Sequence, residues 1–146
     1  MSPLYLHPHL YDAIWIQAKE YSVDYYLIAA IISQESGFNP LAIGDNMRSF
    51  GLMQLNLDGA GHGHDPSRLL EMDYNLETGV AYLRRCLDAY PDDPPRAIAA
   101  YNRGITGARP PFDPLTDPYV RSVLSTHALY QGRGIERAYL WRTLVG

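Results

Sequence analysis

The chain has 146 residues, 47% hydrophobic and 19% charged, with a formal net charge of −4. Those figures fit one packed globular domain spanning residues 1–146 and exclude a disordered polyelectrolyte. No cluster of Lys and Arg offers itself to phosphates, so nucleic acid is not expected as a partner, and no apolar run is long enough to span a membrane.

Met1 to Leu10 contains neither the basic region nor the apolar stretch of a signal peptide. The expectation is a soluble, monomeric chain without its own export address. Any work on a cell wall, in the periplasm or outside the cell, then requires delivery by a lysis pore, a virion or a secretion apparatus. His7 and His9 read as a surface pair. The first helix is predicted over Pro8 to Tyr21, with Leu10, Ile14 and Ala18 on one face. The second starts near Ser22 or Asp24, both good caps, and stops at Gly37 with Pro40 just beyond.

Gly44 to Pro66 breaks the helical pattern. It holds Gly44, Gly51, Gly59, Gly61 and Gly63, too many for a helix, and a short extended piece over Phe50 to Leu55. A small β-hairpin or irregular lobe is expected here. Helices resume at Asn75, with Leu76, Val80, Leu83 and Leu87 in phase, and after Pro94-Pro95, ending around Asn102 to Gly104. Another starts at Asp117-Pro118 and carries Val120, Val123, Leu124 and His127; a sixth is predicted over Ile135 to Leu144. Cys86 is alone, so no disulfide and no Cys-based zinc site is expected; it reads as a small buried thiol. The fold class is mainly α, with a helical body and a glycine-rich lobe flanking a cleft.

Three groups of residues carry chemistry. Ile28, Ile31, Ile32 and Glu35 fall at i, i+3, i+4 and i+7, which puts a carboxyl group on the apolar face of the second helix. Burial disfavours the charged form, and the negative end of the helix dipole acts the same way. A carboxylic acid that keeps its proton near neutral pH can act as a general acid. The plainer reading is an exposed helix-end residue that happens to fall in phase. In Gly51-Leu52-Met53-Gln54-Leu55, strand alternation sends Leu52 and Gln54 to one face and Met53 and Leu55 to the other. Gln54 offers donor and acceptor to an acetamido or hydroxyl group; an ordinary hairpin explains the pattern equally. Ile98, Tyr101 and Asn102 share a helix face, which suits a sugar subsite, a hydrogen bond holding Glu35, or simply a helix stop at Asn102 and Gly104. The chain's 12 Tyr residues, with Trp15 and Trp141, suit a core or a sugar-binding cleft.

Taken together, Glu35-Ser36, Gly51 to Leu55, and Ala100-Tyr101-Asn102-Arg103-Gly104 resemble the lytic transglycosylases of the soluble (SLT) type. Asn75-Leu76 through Gly79 to Tyr82-Leu83, and Pro118 to Val123, add weaker matches, so the likeness covers roughly Ile28 to Leu124. The resemblance implies a lysozyme-like fold and cleavage of the β-1,4 bond between N-acetylmuramic acid and N-acetylglucosamine. It implies Glu35 as catalytic acid/base, with Ser36, Gln54, Tyr101 and Asn102 lining the site, glycan strands of peptidoglycan as partner, and no metal or organic cofactor. Both a muramidase that admits water, using Asp45 or Asp58 as base, and a non-catalytic glycan-binding or morphogenetic protein remain as alternatives. Origin as a phage lysin (endolysin), a virion enzyme or a secretion component also stays open. The chain departs from the family pattern after Leu55, in Asn56 to Pro66. His62, His64 and Asp65 within that stretch form a weak metal-ligand pattern.

Overall fold

The computed structural model describes residues 9–133. His7 and the predicted helix at 135–144 lie outside the described residues. Helix α1 spans Leu10–Tyr21 and α2 spans Tyr25–Ser36. Between them Ser22 turns left-handed (φ 54°), and Asp24 caps α2 by accepting from the Tyr26 N–H at 2.8 Å. Leu27 through Ile32 are all buried, so α2 is apolar nearly all round and runs through the centre of the core.

Three two-residue strands follow: β1 (Ile43–Gly44), β2 (Ser49–Phe50) and β3 (Leu55–Asn56). They form an antiparallel sheet in the order β1-β2-β3, with Phe50 opposite both Ile43 and Leu55. The extended reading of Phe50 to Leu55 needs correction. The chain turns over residues 51–54, and Gln54 is left-handed at φ 48°. Alternation therefore fails, and neighbouring Leu52 and Met53 are both wholly buried.

A short helix α3 (Pro66–Leu69), which periodicity is too brief to reveal, is capped by Asp65. Helix α4 spans Met72–Ala89, beginning one turn before the expected Asn75. Helix α5 spans Pro94–Arg103, and α6 spans Pro118–Arg133. Helix α2 packs against α1 and α6, while α4 packs against α1 and α5. One core joins these helices to Phe50, Leu52, Met53 and Leu55 of the lobe, and Cys86 is buried within it. Among the described residues no helix is long and apolar enough to cross a membrane.

Candidate active site

The site begins with the end of α2. Gly37, left-handed at φ 59°, stops the helix and donates its N–H to Ser33 at 3.1 Å. Glu35 thus sits in the last turn, half-buried, at the edge of the core. Its Oε2 accepts a hydrogen bond from the Tyr119 hydroxyl at 2.6 Å, across from the first turn of α6. Two more contacts tie α6 to α2: Ser122 Oγ donates to Gln34 Oε1 at 2.5 Å, and His127 Nε2 meets Asp24 Oδ2 at 2.8 Å. Burial pushes the Glu35 carboxyl up to about 7; the Tyr119 hydroxyl opposes that rise, and the negative charge of Asp45 adds to it.

The carboxyl opens into a cavity of about 270 Å³ between the helical body and the lobe. Asp45, Ser49, Gln54 and Asn56 line one wall; Tyr82, Tyr101 and Asn102 line the other. On the lobe side Ser49 Oγ donates to Asp45 Oδ2 at 2.6 Å and accepts from Asn56 Nδ2 at 3.0 Å. Gln54 Nε2 donates to the carbonyls of Ala42 and Gly51, each at 3.0 Å. Its other amide atom, Oε1, lies so close to Gly44 that a Cβ there would stand 2.6 Å away.

The five residues singled out from sequence take different places. Glu35, Gln54, Tyr101 and Asn102 line the cavity; Ser36 does not. The Ser36 hydroxyl donates to Leu52 O at 2.7 Å, with Ile32 O at 3.2 Å, and so ties the end of α2 to the 51–54 turn. Tyr101 presents its ring to the cavity, packed 5.5 Å from the Tyr82 ring, but its hydroxyl donates to Met53 O at 2.8 Å. It is Tyr119, and not Tyr101, that holds Glu35. Tyr119 stands in the sequence match at Pro118 to Val123, yet nothing in that short run indicates which residue it faces.

Asn75 is a second residue whose part is invisible in local sequence. Its buried side chain accepts from Met53 N–H at 2.9 Å and donates to Phe50 O at 2.8 Å and Leu69 O at 2.7 Å. It satisfies the turn that strand pairing leaves unsatisfied. Gly51 is required there: its φ is +78°, and an added Cβ would stand 2.5 Å from Leu69 O.

Other acids of the lobe are already engaged. Asp58 accepts from Arg48 Nη2 and Nε, at 2.6 and 2.9 Å, in an exposed pair. Asp65 caps α3 through Ser67 N and Oγ, each at 2.9 Å. His64 Nδ1 meets the Tyr74 hydroxyl at 2.6 Å. Among the described residues no group of three or more His, Cys, Asp or Glu is gathered to hold a metal.

A helical body, a small antiparallel lobe and the half-buried Glu35 carboxyl in the cleft between them define a lysozyme-like fold. Residues 12–110 match the model of the transglycosylase SLT domain, and the chain belongs to that family. A membrane-bound lytic murein transglycosylase C of Shigella sonnei is 37% identical over 114 residues, covering 66% of this chain and 32% of that protein. A membrane-bound lytic murein transglycosylase F 1 of Alkalilimnicola ehrlichii is 39% identical over 93 residues, covering 60% of this chain and 18% of that protein. An inactive mutant of the lytic transglycosylase Slt of Pseudomonas aeruginosa shares the fold with a TM-score of 0.72 at 24% identity, over 83% of this chain and 24% of that one. The chain thus spans about a third or less of the length of these relatives.

Proposed function

We propose that this domain cleaves the β-1,4 bond between N-acetylmuramic acid and N-acetylglucosamine in peptidoglycan without consuming water. The observation that carries the reading is Glu35, whose carboxyl titrates near 7, held by Tyr119 and facing a cleft. Most retaining and inverting glycoside hydrolases use two carboxyl groups at a set separation. Here the other cleft acids are Asp45, hydrogen-bonded by Ser49, and Asp58, paired with Arg48. A single group near neutral pKa can serve both steps. Glu35 gives its proton to the leaving oxygen as the C1–O bond breaks. The C2 acetamido group stabilises the cation that develops. Glu35, now a base, takes the proton of the C6 hydroxyl as that oxygen closes on C1. The product is a 1,6-anhydromuramyl end, and the carboxyl is protonated again.

Gln54 and Asn102 supply amide groups to the sugars, and the Tyr101 ring supplies an apolar face. Ser36 and the Tyr101 hydroxyl act through the 51–54 turn, which they hold against the body. The site of action is the bacterial wall. Names of the similar proteins, lytic murein transglycosylases, support the substrate.

The test is a zymogram on purified walls together with mass spectrometry of the released fragments. Wild type should clear the wall and give ends one water lighter than reducing ends, and Glu35→Gln should clear nothing while folding normally. Equal clearing by both proteins removes Glu35 from the reaction; reducing ends convert the reading to a muramidase.

A further inference from the structure

The cleft lining carries three acids, Glu35, Asp45 and Asp58, and one arginine, Arg103. The cleavage reading leaves that arginine without a task. Arg103 is the last residue of α5, where any cation suits the negative end of the helix dipole. A loosely solvated side chain would satisfy that role, yet this one is held. Its Nε donates to Gly107 O at 3.0 Å, and its guanidinium carbon lies 3.8 Å from the centre of the Phe112 ring. Both supports belong to the 105–112 segment, which is itself wired to the body. Arg96 Nη1 donates to Ala108 O at 2.6 Å and to Phe112 O at 2.8 Å, and Asp93 Oδ2 accepts from Arg96 Nε at 2.9 Å. The Tyr90 hydroxyl donates to Ile105 O at 2.6 Å.

With Nε and one ring face engaged, Arg103 keeps its two Nη groups for another partner. Among the described residues it enters no ion pair. A planar fork already fixed in place, with donors to spare, receives a carboxylate at small entropic cost. Asp45 and Asp58 make the lobe wall unfavourable for the same anion, so the cleft offers it one corner.

A strand of alternating N-acetylglucosamine and N-acetylmuramic acid carries hydroxyl and acetamido groups on both sugars. What separates them is the lactyl ether on C3 of the muramyl ring. Its carboxyl group is an anion where no peptide is attached and a neutral amide where one is. Gln54 and Asn102 do not tell the sugars apart by their acetamido groups, since both carry one. Arg103 does. It lines the same cavity as Glu35, so the anion it meets sits on the bound sugar itself, whereas carboxylates of a peptide lie many bonds further out. We infer that Arg103 is a specificity-determining residue that takes the lactyl carboxylate of a peptide-free muramyl sugar and so sets which of the two alternating sugars stands at Glu35. The domain then favours bare strands, the product of an amidase-class reaction that removes the peptide. This inference takes its substrate from the cleavage reading, and its test separates the two.

Three substrates are compared: bare strands, bare strands whose lactyl carboxyl is converted to the methylamide, and strands that keep their peptides. Wild type should cut bare strands with a kcat/KM about tenfold above that for the methylamide, the scale of one charge-assisted hydrogen-bonded contact. Arg103→Gln keeps a polar side chain and removes the charge, so that ratio should fall to about one. The ratio is taken within one protein, so a general loss of activity or stability does not imitate the result. Equal cutting of bare and methylamide strands by wild type, or a preference that survives in Arg103→Gln, overturns the assignment. An Arg103-dependent preference for peptide-bearing strands, with none for bare ones, moves the anion into the peptide and overturns it too. Independently, a bare tetrasaccharide titrated into Glu35→Gln protein should bind about tenfold tighter than its methylamide. Equal affinities overturn the subsite. If that difference in affinity holds while wild type cuts none of the three substrates, the subsite stands and the cleavage reading falls.

Discussion

Glu35 holds its proton more tightly in the folded chain than in the unfolded one, because burial pushes its carboxyl up to about 7. Between the ordinary carboxyl range and that value the native state carries the extra proton. Stability therefore falls as pH rises through this window. Glu35→Gln removes the ionisation and keeps the shape. At pH 8 it should unfold about 1 to 3 kcal/mol harder than wild type, a range discounted for partial exposure. Below about pH 4 the two should coincide, since both folded and unfolded carboxyls are then protonated. Urea titrations at the two pH values measure this, and equal differences at both would mean that the group titrates as in open water. Tyr119→Phe tests the same carboxyl from its partner's side. The lost hydroxyl favoured the ionised form, so the alkaline limb of kcat/KM should move to higher pH. Loss of orientation should lower kcat about tenfold with little change in KM. An unmoved limb would mean the hydroxyl does not govern the proton.

At the scale of elements, the 51–54 turn decides the shape of the cleft, and distant side chains hold it. Asn75 binds three backbone groups, of Phe50, Met53 and Leu69. Asn75→Ala would leave them buried without partners and should destabilise the chain by about 3 to 5 kcal/mol, read from denaturant midpoints. A loss below about 1 kcal/mol would show that water replaces the amide at this site. The same turn marks where the sequence stops being readable. Helix phases, the caps at Asp24 and Gly37, and the glycine-rich break before Pro66 are local signals, and they give the helical body and the lobe. The phase of Ile28, Ile31 and Ile32 also brings Glu35 to the core edge. The turn itself looks like a strand, because the hydrogen bonds that fold it come from Asn75, 22 residues beyond Met53. Likewise Tyr119 lies 84 residues from Glu35, and no periodicity links them. Ser36 reads as a ligand-facing hydroxyl until the turn it grips is known.

The whole molecule brings two separately built charges to one cavity, Glu35 from the helical body and Asp45 from the lobe. Asp45 is held by the Ser49 hydroxyl, which in turn accepts from Asn56, so its carboxylate is fixed on the wall facing the acid. Its charge raises the Glu35 pKa, which couples the lobe's position to the acid's readiness. Asp45→Asn keeps the hydrogen bond from Ser49 and deletes the charge. The alkaline limb of kcat/KM should then move to lower pH, because the ionised form of Glu35 no longer meets a like charge. If Asp45 acts only through this field, activity at acidic pH should stay within about tenfold of wild type, and the fragments should keep their anhydro ends. If Asp45 instead activates water, the loss should be a hundredfold or more at every pH, and the wild-type fragments should carry reducing ends. Measuring the pH profile and the fragment masses on the same two proteins decides between a lobe that tunes one carboxyl and a lobe that supplies a second.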